Sequence, residues 1–274
     1  MKGKPRFAIP IVVTLALALG VLSSCGKTEE RIAAEEAFDK ASDAASTQFT
    51  ELQDAISSAE LLAATGEPLL DQSLMDSLNN AISDAKTIEL TIPEMPKSTE
   101  EIQAATNELK AFDCYDKISA IQSSMDSVKK NIDQYKLVDN PTEAYVIEKL
   151  GNIDGISDIE AVTEENDPNG NLHKDGGYTA SVYFASDAVD TSKLSNANGS
   201  SIEKGTDGGG CVEVYATADE AKKRDAYLAG FDGSVLASGS HAVVGTVVVR
   251  TSNNMTASSQ DDLEARIIAE LVAL

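Results

Sequence analysis

The apolar positions of this chain follow a helical spacing in the first half and, in much of the second half, the spacing of strands. From Thr28 to about Lys136, apolar or small residues recur at alternating gaps of three and four, which is one face of a helix. After Val138, runs of alternating apolar and polar residues indicate strands with one face on a core. We therefore predict an α+β fold: an N-terminal long three-helix bundle, then a mainly antiparallel sheet with helices on one face.

Three helices are predicted in the first half. The first begins at Thr28 and ends before Gly66, and the second spans about 74–85. An extended connection that contains two prolines follows. The third helix begins at Ser98 and is predicted to continue unbroken to about Lys136.

The residue pattern of the second half predicts short helices and strands in mixed order. Capping residues and turn residues place the boundaries. The predicted elements are a helix at about 142–150, strands Ser157–Thr163, Tyr178–Ala185 and Cys211–Ala216, a helix from Thr217 to about Ala229, strands Ser234–Ala237 and Ala242–Arg250, and a helix at about Ser259–Val272.

The N-terminus carries a targeting pattern. A basic start precedes an apolar run, Phe7–Leu22, and the run ends at Leu22-Ser23-Ser24-Cys25. This pattern resembles a bacterial lipoprotein signal with its lipobox. The resemblance implies cleavage between Ser24 and Cys25 and a diacylglycerol thioether on Cys25.

The whole chain is predicted to have three parts. The lipobox resemblance implies a signal peptide at 1–24, and the apolar patterns predict a three-helix stalk at 25–137 and an α+β domain at 138–274. The apolar run is too short for a confident membrane span, and no second such run follows. We expect a protein anchored to the membrane through lipid on Cys25, facing outside the cytoplasm.

Part of the helical half is similar to a known module. The phrases LQDAISSAELL, SLMDSLNNAISDAK and STEEIQAATNELK, between Leu52 and about Met125, resemble the FIVAR module of Gram-positive surface proteins. That resemblance implies a three-helix stalk, spacer or adhesive module without catalytic residues. The segment after 138 resembles a domain of Gram-positive surface proteins, and this resemblance implies no particular activity.

The charge excludes one class of partner. The predicted mature chain, without the three cations of the signal, has 19 Lys and Arg residues against 45 Asp and Glu, a net charge of −26. A field of this sign repels phosphate backbones, so we expect no nucleic-acid partner.

Two cysteines remain after the anchor. A disulfide between Cys114 and Cys211 is not expected, because they fall in separate predicted domains; each is predicted to be a small buried residue. Cys211 with His241 could also form a nucleophile pair. That interpretation is weakened because Cys211 opens a strand rather than a helix.

Three further patterns suggest binding. Oxygen donors at Asp167, Asn169 and Asn171 begin like a calcium loop, but the sharp-turn glycine and the bidentate glutamate are missing, so we predict no metal and no cofactor. The glycines at 205–210 lead into a strand and not a helix, so they predict a loop rather than a phosphate site.

Tyr183 and Tyr215 fall on the predicted water-facing side of the sheet, together with Thr179, Ser181 and Glu213. Exposed tyrosines there could anchor a peptide or glycan, and ordinary cross-strand pairing is the alternative.

The sequence therefore favours a non-catalytic, adhesin-like binding or spacer module of the cell envelope, with a cell-wall glycan or a protein as ligand. One alternative is a cell-wall hydrolase or peptidase that uses Cys211 and His241. Another is a substrate-binding lipoprotein, which would need two α/β lobes around a cleft.

Overall fold

The computed structural model describes residues 27–234 and 239–274. The lipobox with Ser24 and Cys25 lies outside the described residues, as does most of the predicted strand Ser234–Ala237. Helices followed by a sheet that is antiparallel and flanked by helices confirm the predicted α+β class.

The described elements agree with most predicted boundaries to within two residues. The helices are α1 (Glu29–Ala63), α2 (Ser73–Ala85), α3 (Thr99–Lys110), α4 (Tyr115–Leu137), α5 (Glu143–Gly151), α6 (Ser201–Lys204), α7 (Ala218–Ala229) and α8 (Ala257–Leu271). The strands are β1 (Ile156–Ala161), β2 (Tyr178–Ser186), β3 (Gly209–Tyr215), β4 (His241–Val244) and β5 (Val247–Thr251).

The described chain forms two compact units. One contains the described residues up to Ser46 together with Leu90–Phe112, and the other contains Thr47–Glu89 with Asp113–Leu274. The predicted domain boundary followed residue 137. In the structure, α2 and α4 belong to the same unit as the sheet.

The first unit packs the N-terminal part of α1 against α3. Its core consists of Ala34, Phe38, Ala41, Ala45, Ile102, Ala105 and Leu109. Ser98 begins α3 with the predicted capping box, in which its side chain accepts from the backbone N–H of Glu101 and the Glu101 carboxylate accepts from the backbone N–H of Ser98.

The single third helix of the prediction is wrong, because α3 ends at Lys110 and α4 begins at Tyr115. The apolar stripe shows only a small irregularity here, a step of six positions from Phe112 to Ile118 instead of three or four. The break is held by tertiary contacts: the backbone N–H of Cys114 donates to Oε1 of Gln48 on α1 at 3.0 Å.

The second unit contains one five-stranded sheet in the order β1-β2-β3-β5-β4, with every neighbouring pair antiparallel. Helices α5 and α8 cover its first face. Alternate strand residues such as Val182, Val212 and Val249 meet Leu150 and Ile267 there in an aliphatic core.

The second face is also covered by helices, whereas the prediction placed helices on one face only. Ala221 and Leu228 of α7 join the core of this face with Tyr183, Cys211 and Val248. This face carries polar side chains, which alternate with apolar ones along β2 and β3. The alternation therefore predicted a face exposed to water, whereas the structure covers it with a helix.

The predicted strand Ala242–Arg250 is two strands. Val244 pairs with Val247 around a tight turn in which Gly245 has a φ of +58°. A Cβ on Gly245 would lie 2.4 Å from the carbonyl oxygen of Val138, so the close approach requires glycine.

The glycines at 205–210 do not form the predicted loop throughout. Gly209 and Gly210 belong to β3, and residues Gly205–Gly208 form a short 3-10 turn before it. The strand runs close to its neighbours there, since a Cβ on Gly210 would lie 2.2 Å from the carbonyl oxygen of Arg250.

Candidate functional site

A buried ion-pair network lies between β3 and α7. The carboxylate of Glu213 is completely buried, and Arg224 donates to it from Nε to Oε2 at 2.8 Å and from Nη2 to Oε1 at 2.9 Å. Arg250 donates from Nη1 to Oε1 at 2.8 Å, and the Tyr215 hydroxyl donates to Oε2 at 2.8 Å. Both carboxylate oxygens are therefore paired, as a buried charge requires.

The local periodicities bring these groups together. Glu213 and Tyr215 are two residues apart on β3 and therefore share a face. On α7, Arg224 lies between Ala221 and Leu228 at spacings of three and four, so it lies on the helix face that packs on the sheet.

The network keeps Glu213 ionised. Burial acts to raise the pKa of Glu213, but the hydrogen bond from Arg224 and the charges of Arg250 and Arg224 outweigh it, so the pKa lies below its ordinary value. One carboxylate and two guanidinium groups share this space.

Cys211 is unsuited to act as a nucleophile. Its thiol is completely buried, with Sγ 3.8 Å from Oε1 of Glu213 and 3.9 Å from Nη1 of Arg250. Burial raises the pKa of Cys211 to about 12 in spite of the nearby Arg250. The reactive species of a cysteine nucleophile is the thiolate, which this environment disfavours.

His241 and Cys211 do not form a pair. Cys211 of β3 and His241 of β4 both lie opposite Arg250 of β5, so one strand separates them and their backbones are about 10 Å apart. The His241 ring contacts two other side chains: Nδ1 lies 2.6 Å from Oδ1 of Asp225, and Nε2 lies 3.4 Å from Oδ1 of Asp232. The Cys211–His241 pair that the hydrolase alternative requires is therefore not assembled.

The candidate calcium residues organise a loop instead. Oδ1 of Asp167 accepts from the backbone N–H of Asn169 at 2.9 Å and from the Tyr178 hydroxyl, and Oδ2 accepts from the backbone N–H groups of Asn171 and Leu172 at 2.6 and 2.8 Å. Burial raises the pKa of Asp167, but these hydrogen bonds outweigh it and lower the pKa. Within residues 27–234 and 239–274, no cluster of three or more His, Cys, Asp or Glu side chains could hold a metal.

Tyr183 and Tyr215 are not an exposed surface, and this part of the prediction is wrong. Both are 3% exposed, and Ser181 and Glu213 are completely buried. The reason is that α7 covers this sheet face over β3 and β5, while Leu172 of the Asp167 loop and Ile202 of α6 join the core that contains Tyr183.

A polar groove of about 630 Å³ lies between the loop around Asp167 and α7. Tyr215 and Arg224 contribute to its lining. The lining also includes Asn169, Asn171 and Asp175 from the loop and Glu220, Lys223 and Tyr227 from α7.

The α7 residues of the groove were not predicted from the sequence, although two signals were available. Glu220, Lys223 and Tyr227 have the spacing of one helix face. Glu213 stands between two valines in an apolar strand, and a buried carboxylate needs a cationic partner elsewhere in the chain.

Both remaining thiols are free and buried, which confirms the prediction for Cys114 and Cys211. No helix among the described residues is both long and apolar enough to cross a membrane. Comparison with known proteins finds no matching family, no similar curated protein and no similar solved structure. The likeness to the FIVAR module stays a prediction from sequence.

Proposed function

We propose that this protein is a membrane-anchored lipoprotein, exposed outside the cytoplasm, that serves as a non-catalytic binding module of the cell envelope. The lipobox Leu22-Ser23-Ser24-Cys25 supports the anchor and the location. The groove between the Asp167 loop and α7 supports a binding role, and it is the observation that carries the proposal.

The groove offers groups that can hold a polar ligand. Its side chains carry amide, ammonium, guanidinium and carboxylate groups beside two tyrosines, so its lining is more polar than that of most small-molecule sites. Its volume lies within the range of about 300–1,000 Å³ that is common for such sites.

The two alternatives receive less support. A cysteine hydrolase needs a thiolate beside an imidazole, whereas the Cys211 thiol is buried and Arg250 separates it from His241. A transport-type substrate-binding protein needs two α/β lobes, whereas the sheet of the described residues is a single antiparallel one.

The anchor is tested by labelling. The full chain is expressed in a bacterial host that is fed an alkyne analogue of palmitate, and labelled protein is detected in the membrane fraction. We expect label on the wild type and on Cys114→Ser, and none on Cys25→Ser. Equal labelling of Cys25→Ser, or an unlabelled wild type, would contradict a lipid anchor at Cys25.

The binding role is tested with the full-length protein in membrane vesicles. Purified cell-wall fragments are added, and the bound fraction is measured by sedimentation. We expect saturable binding that falls in the double variant Lys223→Ala/Tyr227→Ala and persists in the control Lys130→Ala/Tyr115→Ala, which changes the same residue types on α4. Binding equal in both variants would show that the groove is not the binding site.

A further inference from the structure

The groove is electrically balanced although the chain is strongly acidic. Its charged side chains are the carboxylates of Asp175 and Glu220 and the cations of Lys223 and Arg224. Arg224 is also paired with the buried Glu213. The groove therefore offers hydrogen-bond donors and acceptors with equal numbers of positive and negative side chains in its own lining.

One aromatic ring stands at the edge of this polar lining. Tyr227 is 59% exposed, and its ring is held in place by two neighbours. The Arg224 guanidinium lies 5.6 Å from the ring centroid, and Phe231 packs edge-on with a centroid distance of 5.1 Å. An exposed ring with fixed orientation offers an apolar face beside polar groups.

The opposite wall is a fixed loop. The Asp167 carboxylate ties the backbone of Asn169 and Asn171, and a Cβ on Gly177 would lie 2.0 Å from the carbonyl oxygen of Asn171. Asn169 and Asn171 are exposed and extend from backbone that is closed by hydrogen bonds and close packing, and Nδ2 of Asn169 also donates to the hydroxyl groups of Tyr178 and Tyr183. A preorganised wall lowers the entropy lost when a ligand binds.

From these three features we infer that the groove binds a neutral oligosaccharide. Sugar rings carry several hydroxyl groups that both donate and accept, which matches the amides, carboxylates and cations of the lining. They also carry an apolar C–H face, which matches the exposed ring of Tyr227. This inference rests on the proposed binding function and names the ligand class for the same groove.

The test uses the full-length protein in detergent micelles and a glycan array. The array carries neutral oligosaccharides built of hexose and N-acetylhexosamine units, beside uronate-containing, sialylated and sulfated forms of the same cores. The single variants Tyr227→Ala and Asn171→Ala are compared with Tyr115→Ala, whose side chain is 57% exposed and lies outside the groove.

We expect the wild type to bind neutral members, Tyr227→Ala and Asn171→Ala to lose at least about tenfold in affinity, and Tyr115→Ala to match the wild type. The inference is overturned if the wild type binds no neutral member, if it binds only charged members, or if Tyr227→Ala binds as the wild type does. A third outcome is that the groove variants lose binding to cell-wall fragments but neutral oligosaccharides do not compete with that binding. This result would overturn the inferred ligand class and leave the proposed binding function in place. A wild-type protein that neither binds cell-wall fragments nor carries the lipid label at Cys25 would overturn the proposed function itself.

Discussion

Glu213 of β3 connects two other elements, since its carboxylate pairs with Arg224 of α7 and with Arg250 of β5. Replacing such a buried ion network by hydrophobic residues of similar volume is often neutral or stabilising, but removing one partner alone is strongly destabilising. The stability of the folded protein is therefore expected to depend on the Glu213 carboxylate.

We expect Glu213→Gln to lower the free energy of unfolding by about 3–5 kcal/mol, because the substitution removes the buried charge with which both Arg224 and Arg250 pair. The measurement is urea denaturation at neutral pH. Glu165→Gln, an exposed carboxyl in the loop before Asp167, is the control and should change little. Equal stability of Glu213→Gln and the wild type would contradict the role given to the ion pairs.

The same variant has an expected pH dependence. Because the folded-state pKa of Glu213 is lowered, its stabilisation is complete above the pKa of the unfolded chain, about 4.3 for a glutamate, and is lost as the pH falls through the folded-state pKa. The difference in the free energy of unfolding between the wild type and Glu213→Gln should therefore stay constant at neutral pH and decrease only as the pH falls below the pKa of the unfolded chain. A difference that stays constant into strong acid would argue against the lowered pKa.

Cys211 should be unreactive in the folded protein. Burial raises its pKa to about 12, so at about pH 8 both access and thiolate are lacking. In the double variant Cys25→Ser/Cys114→Ser, we expect iodoacetamide to label Cys211 only after urea is added, as read by mass spectrometry. Fast labelling without urea would restore the possibility of a reactive thiol.

At the scale of elements, β3 depends on glycine for its closeness to β2 and β5. A Cβ on Gly210 would lie 2.2 Å from the carbonyl oxygen of Arg250 and 2.6 Å from Cζ of Phe184, and backbone cannot move away cheaply in the centre of a sheet. Adding even a methyl group at Gly210 is therefore expected to disturb the pairing of β3 with both β2 and β5.

We expect Gly210→Ala to destabilise the protein by about 1–3 kcal/mol or more, the usual effect of overpacking a core. Gly151→Ala is the matched control, because the nearest atom to its Cβ would be 4.0 Å away at the end of α5. Thermal denaturation followed by circular dichroism measures both. A Gly210→Ala variant as stable as Gly151→Ala would contradict the close strand spacing.

At the scale of the whole molecule, the predicted net charge of −26 opposes compaction by self-repulsion. Salt screens charges over about 10 Å at 0.1 M, so added sodium chloride should raise the melting temperature measured by calorimetry. Sucrose at equal osmolality is the control for effects other than screening. A melting temperature that falls as salt is added would show that the surface ion pairs outweigh the repulsion.

Much of the secondary structure could be predicted because its signals act within a turn or two. Ser98 with Glu101 and Thr217 with Glu220 form the predicted capping boxes, and the helices that they begin lie where expected. The break before α4 and the turn at Gly245 were missed, because a tight turn inside an apolar run and a short interruption of a stripe change the local pattern very little.

Little of the candidate site could be predicted. The Asp167 loop was noted in the sequence for its oxygen donors. The opposite wall on α7 was not predicted, since only packing brings Lys223 and Tyr227 opposite Asn171. Tyr183 and Tyr215 were assigned to water by their alternation with apolar neighbours, and the structure buries both.

The sequence by itself determined the periodicity, the caps, the fold class and the burial of Cys114 and Cys211, because spacing and hydropathy depend on residues close together in the chain. Only the tertiary structure decided that α7 covers the second sheet face, that Glu213 meets Arg224 and Arg250, and that a groove opens beside them. Strand alternation separates two faces of a sheet, but the burial of each face depends on which distant helix packs against it.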